Sequence, residues 1–284
     1  MAKDTIFSMK KTLNLKGKLI DLSTPIVMGI LNATPDSFHM ESRVASDIAL
    51  LSRVEKMLHD GVTILDIGGY SSRPDATDIS IQEELNRTIP VIEQIIKSFP
   101  EVYISIDTFR SEVAQSALES GACMVNDISG GTLDDHMFQT IADNSAAYIC
   151  MHMKGTPQTM KQMTHYDNLL MDIMDFFVMQ TNKLKSLGVS DILLDPGFGF
   201  AKTIDQNYEI LQNLQYFQQL KLPLLAGLSR KSMIYNTLNI SPVEALNGTT
   251  ALNMVALMNG AQILRVHDVK EAAEAIKLYK ATYS

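Results

Sequence analysis

Short runs of branched apolar residues recur along the chain, and each run ends at a polar residue. Residues 192–194 (Ile-Leu-Leu) lead into Asp195 and then into a Pro-Gly-x-Gly segment. An apolar run of this kind predicts a buried strand, and the segment after it predicts a tight loop. Seven further runs follow the same pattern and end at Asn32, Asp66, Asp107, Asn126-Asp127, His152, Ser229-Arg230-Lys231 and His267-Asp268. The pattern predicts eight buried strands with polar groups at their carboxyl ends.

Amphipathic stretches separate these predicted strands. In residues 47–59 the side chains of Ile48, Leu51, Val54 and Leu58 recur at helical spacing. The same periodicity predicts helices at about residues 82–98, 111–120, 134–143, 166–187, 205–219, 243–259 and 269–281. Glycines shortly before four strands predict left-handed helix ends, at Gly61, Gly121, Gly188 and Gly260. The segment Ser-Pro-Val-Glu at residues 241–244 predicts a helix start.

Eight strands that alternate with eight helices predict a (β/α)₈ barrel, formed as a single domain by residues 1–284. The competing fold is a doubly wound open sheet, which normally has a Gly-x-Gly-x-x-Gly turn after its first strand. Here Gly29 lies inside the first strand and no such turn follows. Residues 12–22 alternate apolar and polar side chains about Lys16-Gly17, which predicts an N-terminal β-hairpin that covers one end of the barrel.

Composition narrows the class of protein. The net charge of −8 argues against a nucleic-acid groove or an anionic membrane surface as the partner. No apolar run reaches the length of a transmembrane helix, and residues 1–11 lack an apolar core, so we expect a cytoplasmic protein. Cys123 and Cys150 lie within strand-like runs, which predicts buried thiols in a reducing compartment. The histidines show no zinc-ligand spacing.

Barrel enzymes carry their chemistry at the carboxyl ends of the strands. All the polar strand ends would therefore meet at one mouth. Acids and amides there, together with Arg73, Lys231, Arg265 and His267, predict a ligand that has a hydrogen-bonding ring and an anionic part.

Four motifs make this prediction specific. They are Met-Gly-Ile-Leu-Asn-Ala-Thr-Pro-Asp-Ser-Phe at 28–38, Asp-Ile-Gly-Gly-Tyr-Ser-Ser-Arg-Pro at 66–74, Asp-Pro-Gly-Phe-Gly-Phe at 195–200 and Gly-Leu-Ser-Arg-Lys-Ser at 227–232. With Arg-Val-His at 265–267, they resemble the dihydropteroate synthase family, the folate-pathway enzymes that sulfonamides inhibit. The resemblance runs from about Lys16 to the C-terminus, in the same order and at matching spacing.

The resemblance implies a Mg²⁺-dependent transferase that condenses 6-hydroxymethyl-7,8-dihydropterin diphosphate with p-aminobenzoate. By this likeness Asp195 accepts two hydrogen bonds from the 2-amino-N3-H edge of the pterin, as a carboxylate accepts them from arginine. Asp107 and Asn126 complete that edge, and Lys231 reaches the far side of the ring. The remaining substrate contacts that the resemblance implies are Met151 and Phe200 as walls, Gly227 beside the ring, and Ser232 near the aminobenzoate carboxylate.

The same resemblance implies how the diphosphate is held. Ser72 and Arg73 bind it, Asn32 is the magnesium ligand, and a hard cation that keeps several waters needs only one protein oxygen beside the phosphate oxygens. Arg265 stacks on the pterin while it contacts phosphate, and His267 binds the anion from the same side of the strand. Loss of pyrophosphate leaves a cation conjugated with the pterin, so an SN1-like path is expected.

In that path Asp36 faces the developing cation, while Phe38 and Pro74 form the aminobenzoate slot. The loops after the first two strands act as lids. Both loops depart from the family pattern. Residues 39–42 read His-Met-Glu-Ser where the family usually has Ser-Asp-Gly-Gly, and the second loop has Tyr70, Ser72 and Asp75 where Glu, Thr and Gly are commoner. Loss of the glycines predicts a stiffer first lid or a shifted closed position.

Three other functions fit part of the pattern. A pterin-binding methyltransferase barrel with a corrinoid partner would share Asp107, Asn126 and Asp195, but would not need the diphosphate motifs. A Schiff-base aldolase could use Lys231, although Arg230 would not lower its pKa if both residues lay on a strand and pointed apart. A ligand-sensing barrel without catalysis is the third. Residues 243–259 are apolar over more than one face, and the family is usually dimeric, so we expect a homodimer.

Overall fold

The computed structural model describes residues 10–33, 43–71 and 77–283, with the backbone alone for residues 43–46. Eight parallel strands form one sheet in the order β8-β7-β6-β5-β4-β3-β10-β9. Their bounds are β3 Ile26–Asn32, β4 Ile64–Gly68, β5 Tyr103–Asp107, β6 Met124–Asp127, β7 Ala147–Met151, β8 Ile192–Asp195, β9 Leu225–Ala226 and β10 Ile263–Val266. A parallel bridge between Leu194 and Leu224 joins the two outer strands of that order. The predicted barrel is confirmed.

The described residues contain nine α-helices around this barrel. They are α1 Arg43–His59, α2 Ile81–Ser98, α3 Ser111–Glu119, α4 Met137–Asp143, α5 Leu169–Ser186, α6 Ile204–Gln212, α7 Ser232–Leu238, α8 Leu246–Met258 and α9 Val269–Tyr283. Short 3₁₀ helices lie at Met160–Gln162, Leu214–Leu220 and Pro242–Glu244. The four glycines expected at left-handed helix ends all have positive φ.

Three helix predictions differ from the structure. The stretch 205–219 divides at Asn213, where α6 ends and the 3₁₀ helix begins. The start signal at Ser241 is a reciprocal capping box with Glu244, but it opens a 3₁₀ turn, and α8 begins at Leu246. The short helix α7 was not predicted, and only its first residue, Ser232, belongs to a predicted binding motif.

A β-hairpin closes the N-terminal end of the barrel, as the alternation of residues 12–22 predicts. Strands β1 Thr12–Leu15 and β2 Lys18–Asp21 pair antiparallel, and the turn places Lys16 and Gly17 at φ values of 53° and 76°. The hairpin leucines Leu13, Leu15 and Leu22 share one apolar cluster with barrel-interior residues of seven strands. This cluster fills the barrel floor, so the polar groups are confined to the opposite, carboxyl end.

Two further observations bear on the compositional expectations. Cys123 and Cys150 are free and buried, as their apolar surroundings predict. Within the described ranges, no helix has both the length and the apolar character that a membrane span needs.

Candidate active site

The strand register brings the predicted polar side chains to the carboxyl end of the barrel. Asp107 at the end of β5 lies opposite Asn126 of β6, and Met151 at the end of β7 lies opposite Asp195 of β8. Side chains at alternate strand positions share a face, so Met124, Ile149 and Leu193 of the apolar cluster lie below Asn126, Met151 and Asp195. The eight-strand sequence pattern is therefore sufficient to assemble the mouth.

Arg265 forms the centre of a buried charge network. Its Nε donates to Oδ2 of Asp66 at 2.6 Å, and its Nη2 donates to Oδ2 of Asp107 at 2.5 Å. The amide of Asn126 donates to the same Asp66 oxygen at 3.0 Å. Burial opposes the charge of Arg265, but the carboxylates of Asp66 and Asp107 raise its pKa above the ordinary value. The guanidinium is thus fixed in place by two acids on neighbouring strands.

Asp66 is the residue whose role the sequence interpretation missed. Its side chain is wholly buried, and its Oδ1 takes no hydrogen bond within the described part of the chain. The signal was present, because an acid between Leu65 and Ile67 in a buried strand needs a partner. Burial is also the main reason that the pKa of Asp107 rises to about 7, and the nearby Asp66 charge adds to it while Arg265 opposes it.

Asp195 and Lys231 form a second pair of charged groups at the mouth. Oδ1 of Asp195 accepts a hydrogen bond from the backbone N–H of Gly197 at 2.7 Å, and burial raises the pKa of its carboxyl. Nζ of Lys231 donates to the carbonyl of Phe198 at 2.5 Å and lies 4.2 Å from the centre of the Phe200 ring. Burial lowers the pKa of Lys231 to about 8, although the Asp195 charge opposes the shift.

Gly227 and an apolar wall border this pair. A Cβ on Gly227 would lie 3.9 Å from Oδ2 of Asp195, so the glycine borders the carboxylate directly. Met151 belongs to a buried cluster that also contains Ile128, Met153, Met160 and Ala201, with Phe109, Leu133 and Phe200 packed against it. The structure therefore places a flat, apolar wall beside two groups that can hydrogen-bond a ring.

Lys231 is not on a strand, which corrects the reason given against the aldolase. Arg230 has a φ of 54° in the turn after β9, and Lys231 is the residue before α7. The guanidinium of Arg230 and the ammonium of Lys231 still point apart, because the guanidinium pairs with both carboxylate oxygens of Asp268. Ser232 is the first residue of α7, so it adjoins Lys231 at the mouth.

His267 follows β10, and Ser229 fixes the position of its ring proton. The Ser229 hydroxyl accepts a hydrogen bond from the His267 backbone N–H at 3.2 Å, and it lies 3.0 Å from Nδ1. A serine hydroxyl has one proton to donate, and Nδ1 is the acceptor within its reach. On this basis we assign the ring's own proton to Nε2. Desolvation of the ring, followed by the charge of Arg265, lowers the pKa of His267 to about 4.

We expect Ser229→Ala to free Nδ1 of His267 and to produce a mixture of ring tautomers. Loss of the hydrogen bond lowers kcat/KM by roughly a factor of five, whereas Ser229→Thr keeps the hydroxyl and the wild-type value. The ¹⁵N chemical shifts of the two ring nitrogens, assigned with His267→Gln, provide the measurement. Identical ring shifts in wild type and Ser229→Ala would contradict the assigned tautomer.

Asn32 ends β3 beside Gly68 of β4, with its side chain exposed at the mouth. The described residues contain no cluster of three or more His, Cys, Asp or Glu side chains that could hold a metal ion. A single amide oxygen at the rim is nevertheless a donor of the kind that Mg²⁺ uses when phosphate oxygens and waters supply the rest of its shell. Asn32 thus fits a metal that arrives together with a diphosphate.

Several predicted residues lie outside the described residues. They are Asp36, Phe38, Ser72, Arg73 and Pro74, together with the atypical segment 39–42 and Asp75. The described chain stops at Ala33 and Ser71, next to the mouth, where the N–H of Ala33 donates to the carbonyl of Gly68 at 2.8 Å. Their roles stay predictions.

The comparisons with known proteins agree with this geometry. The family described as Pterin binding enzyme matches residues 28–267. The dihydropteroate synthase of Escherichia coli (strain K12) is 42% identical over 271 residues, which cover 95% of each chain, and that of Haemophilus influenzae is 41% identical over 93% of this chain and 96% of its own. Among solved structures, Yersinia pestis dihydropteroate synthase with a sulfonamide drug complex superimposes with a TM-score of 0.88 at 40% identity, over 95% of this chain and 98% of that one. Xanthomonas albilineans dihydropteroate synthase with 4-aminobenzoic acid has a TM-score of 0.88 at 34% identity, over 96% and 98%.

Proposed function

The chain belongs to the dihydropteroate synthase family of pterin-binding enzymes, and from that premise we propose how its mouth performs the family reaction. The reaction joins 6-hydroxymethyl-7,8-dihydropterin diphosphate to p-aminobenzoate and releases 7,8-dihydropteroate and pyrophosphate. The observation that carries the proposal is the gathering of Asp107, Asn126, Asp195, Lys231 and Arg265 at one end of the barrel.

The pterin ring is bound by the polar side chains of the mouth. Asp195 accepts the 2-amino and N3 hydrogens, because a planar carboxylate matches two parallel N–H groups. Asn126 and Asp107 contact the adjoining edge, and the ammonium of Lys231 donates to the far side of the ring. The apolar wall of Met151 and Phe200 excludes water and contacts p-aminobenzoate, whose carboxylate lies near Ser232.

The leaving diphosphate is bound at the rim. Arg265 and the Nε2–H of His267 donate to it, and Ser72 and Arg73 extend the set from the second loop. Asn32 would hold Mg²⁺, which supplies positive charge to the phosphate oxygens when it is bound. Donors fixed before the reaction stabilise the developing anion without reorganising, and this is the larger part of catalysis in such a site.

The carbon–oxygen bond breaks before the new carbon–nitrogen bond forms. The remaining cation is conjugated with the pterin and is stabilised by the carboxylates of Asp107, Asp195 and Asp36. The arylamine of p-aminobenzoate is neutral near pH 7 and attacks without a strong base. Its proton is lost after the bond has formed, so a base dyad is not needed.

Pyrophosphate release from the pterin diphosphate tests this function. We expect turnover that needs p-aminobenzoate and Mg²⁺, and we expect Asn32→Ala to need about ten-fold more Mg²⁺ for half-maximal rate, since one oxygen ligand is lost. The control Asn14→Ala, in the hairpin, should keep the wild-type requirement. In the absence of p-aminobenzoate, scrambling of a bridging ¹⁸O label reports reversible ionisation.

Two results would count against the roles assigned here. Equal Mg²⁺ requirements in Asn32→Ala and wild type would remove Asn32 as the metal ligand. Absence of label scrambling in an enzyme that turns over would replace the SN1-like path by direct displacement.

We further propose that the chain is a single domain that forms a homodimer through α8. Ala251, Val255 and Met258 recur at spacings that place them on one helix face, and all three are exposed. A stripe of this kind is buried efficiently against its own copy across a two-fold axis.

A further inference from the structure

Lys202 is a buried lysine beside the mouth to which the proposed mechanism gives no role. Its ammonium lies 3.0 Å from the carbonyl of Phe200, 3.2 Å from that of Gly197 and 3.3 Å from that of His152. It also lies 3.1 Å from Nδ1 of the His152 ring. An ammonium has three N–H donors, so all of them have acceptors here. One side chain thereby joins the segment after β7 to the loop after β8.

Stability alone does not account for a charge in this place. Within the described ranges Lys202 forms no ion pair, and burial lowers its pKa to about 7 although the charge of Asp195 opposes the shift. The neighbouring His152 is itself buried, and its pKa is lowered well below the ordinary value, so it accepts a proton donor rather than competing as a cation. An unpaired buried ammonium is costly, and its hydrogen bonds to the carbonyls offset part of that cost.

The loop that Lys202 binds has an unfavourable backbone. Gly197, Gly199 and Ala201 have φ values of 73°, 80° and 50°, and an alanine in the left-handed region is disfavoured. This conformation turns the carbonyls of Gly197 and Phe200 toward the ammonium. Gly197 is also packed tightly, since a Cβ there would lie 2.1 Å from the carbonyl oxygen of His152. The cation stabilises a conformation that the loop sequence does not favour by itself.

That loop orients two of the groups assigned to the pterin. The N–H of Gly197 donates to Asp195, and the carbonyl of Phe198 accepts from Lys231. The Phe200 ring packs against the same ammonium of Lys231. A change in the loop would therefore move the carboxylate acceptor and the lysine donor together.

We propose that Lys202 is a positioning residue, which holds the loop after β8 so that Asp195 and Lys231 present the geometry that a pterin ring needs. The proposal rests on the function proposed above and adds to it a residue that does not touch the substrate. It separates Lys202 from Lys231, although both are buried lysines near the same carboxylate.

Steady-state kinetics of Lys202→Met test the proposal. We expect kcat/KM for the pterin diphosphate to fall by about 100-fold through its KM, because displacement of a binding group by ~1 Å has effects of this size. The KM for p-aminobenzoate should rise by a smaller factor, because Phe200 of the wall belongs to the loop whereas Met151 lies on β7. The matched control is Lys10→Met. Lys10 donates to Ser190 and Asp191 at the opposite end of β8, so its loss should change neither KM.

A rescue experiment distinguishes positioning from a general need for a folded loop. Lys202→Ala lacks the three outer carbons and the nitrogen of the side chain, which n-propylammonium restores. We expect millimolar n-propylammonium, but not n-propanol or tetramethylammonium, to lower the pterin KM of this variant. Wild-type kinetics in Lys202→Met, or equal increases in both KM values without rescue of Lys202→Ala, would overturn the proposal. Failure of the wild type to release pyrophosphate would overturn the proposed function first.

Discussion

Asp195→Asn is expected to lower kcat/KM for the pterin diphosphate by about 10³-fold, because two charge-assisted hydrogen bonds are worth roughly 4 kcal/mol together. The carboxylate can accept both ring hydrogens, whereas an amide presents one N–H group to a donor edge. Asparagine has nearly the same shape as aspartate, and removal of a buried charge should not destabilise the fold. Steady-state kinetics with thermal unfolding of the same preparations give the comparison.

Asp191→Asn is the control for this substitution. Asp191 lies at the start of β8 and pairs with Lys10, far from the mouth, so this variant should retain wild-type kinetics. A wild-type KM for the pterin in Asp195→Asn would show that the ring edge is bound elsewhere. Because burial raises the pKa of Asp195, acidification should weaken pterin binding in the wild type sooner than for an exposed aspartate, and Asp195→Asn should lose that part of the dependence.

Arg265→Met is expected to destabilise the fold by about 3–5 kcal/mol, the range observed when one partner of a buried ion pair is removed. The substitution leaves Asp66 and Asp107 buried without their cation, and it also removes a donor to the diphosphate. A second substitution, Asp66→Asn, removes one of the two carboxylate charges that Arg265→Met leaves without a partner. The double variant should recover part of the stability and none of the activity. Urea unfolding and pyrophosphate release measure the two effects separately.

The pH dependence of this loss gives an independent check. Asp107 already has a pKa raised to about 7 while Arg265 opposes the shift, so removal of Arg265 raises it further. A buried acid of raised pKa binds a proton on folding, so its destabilising effect grows as the pH rises. The deficit of Arg265→Met should therefore be larger at about pH 8 than at about pH 5.

Arg87→Met is the matched control, because its pair with Glu83 is more exposed on α2 and is worth about 1 kcal/mol or less. An Arg265→Met variant no less stable than Arg87→Met would show that the network at the mouth does not depend on its cation.

The barrel could be predicted from the sequence because a parallel strand that is buried on both faces is a continuous apolar run. The polar residue at the end of such a run is easy to recognise. Asp107, Asn126 and Asp195 were found in this way. Asp66 was predicted as a strand end, although β4 continues to Gly68, and it was given no role because its partner Arg265 is 199 positions away. A local pattern cannot show a contact at that separation.

Other features depend on atomic placement that no spacing encodes. Lys202 looks in the sequence like an ordinary loop lysine, because nothing near it predicts that three carbonyls and an imidazole nitrogen converge there. The Nε2–H tautomer of His267 depends on a serine 38 positions earlier. The break at Asn213 is a change from α-helical to 3₁₀ hydrogen bonding inside one amphipathic stretch, which periodicity over a long window averages away.

The leucines of the N-terminal hairpin have a consequence for the sequence of events in a catalytic cycle. They close the N-terminal end of the barrel, so every ligand of Asn126 or Asp195 must enter and leave through the mouth at the carboxyl end. Two ligands that share one entrance cannot exchange places inside the barrel. With the proposed site, we therefore expect the pterin to bind first and the product to leave before the next turnover starts.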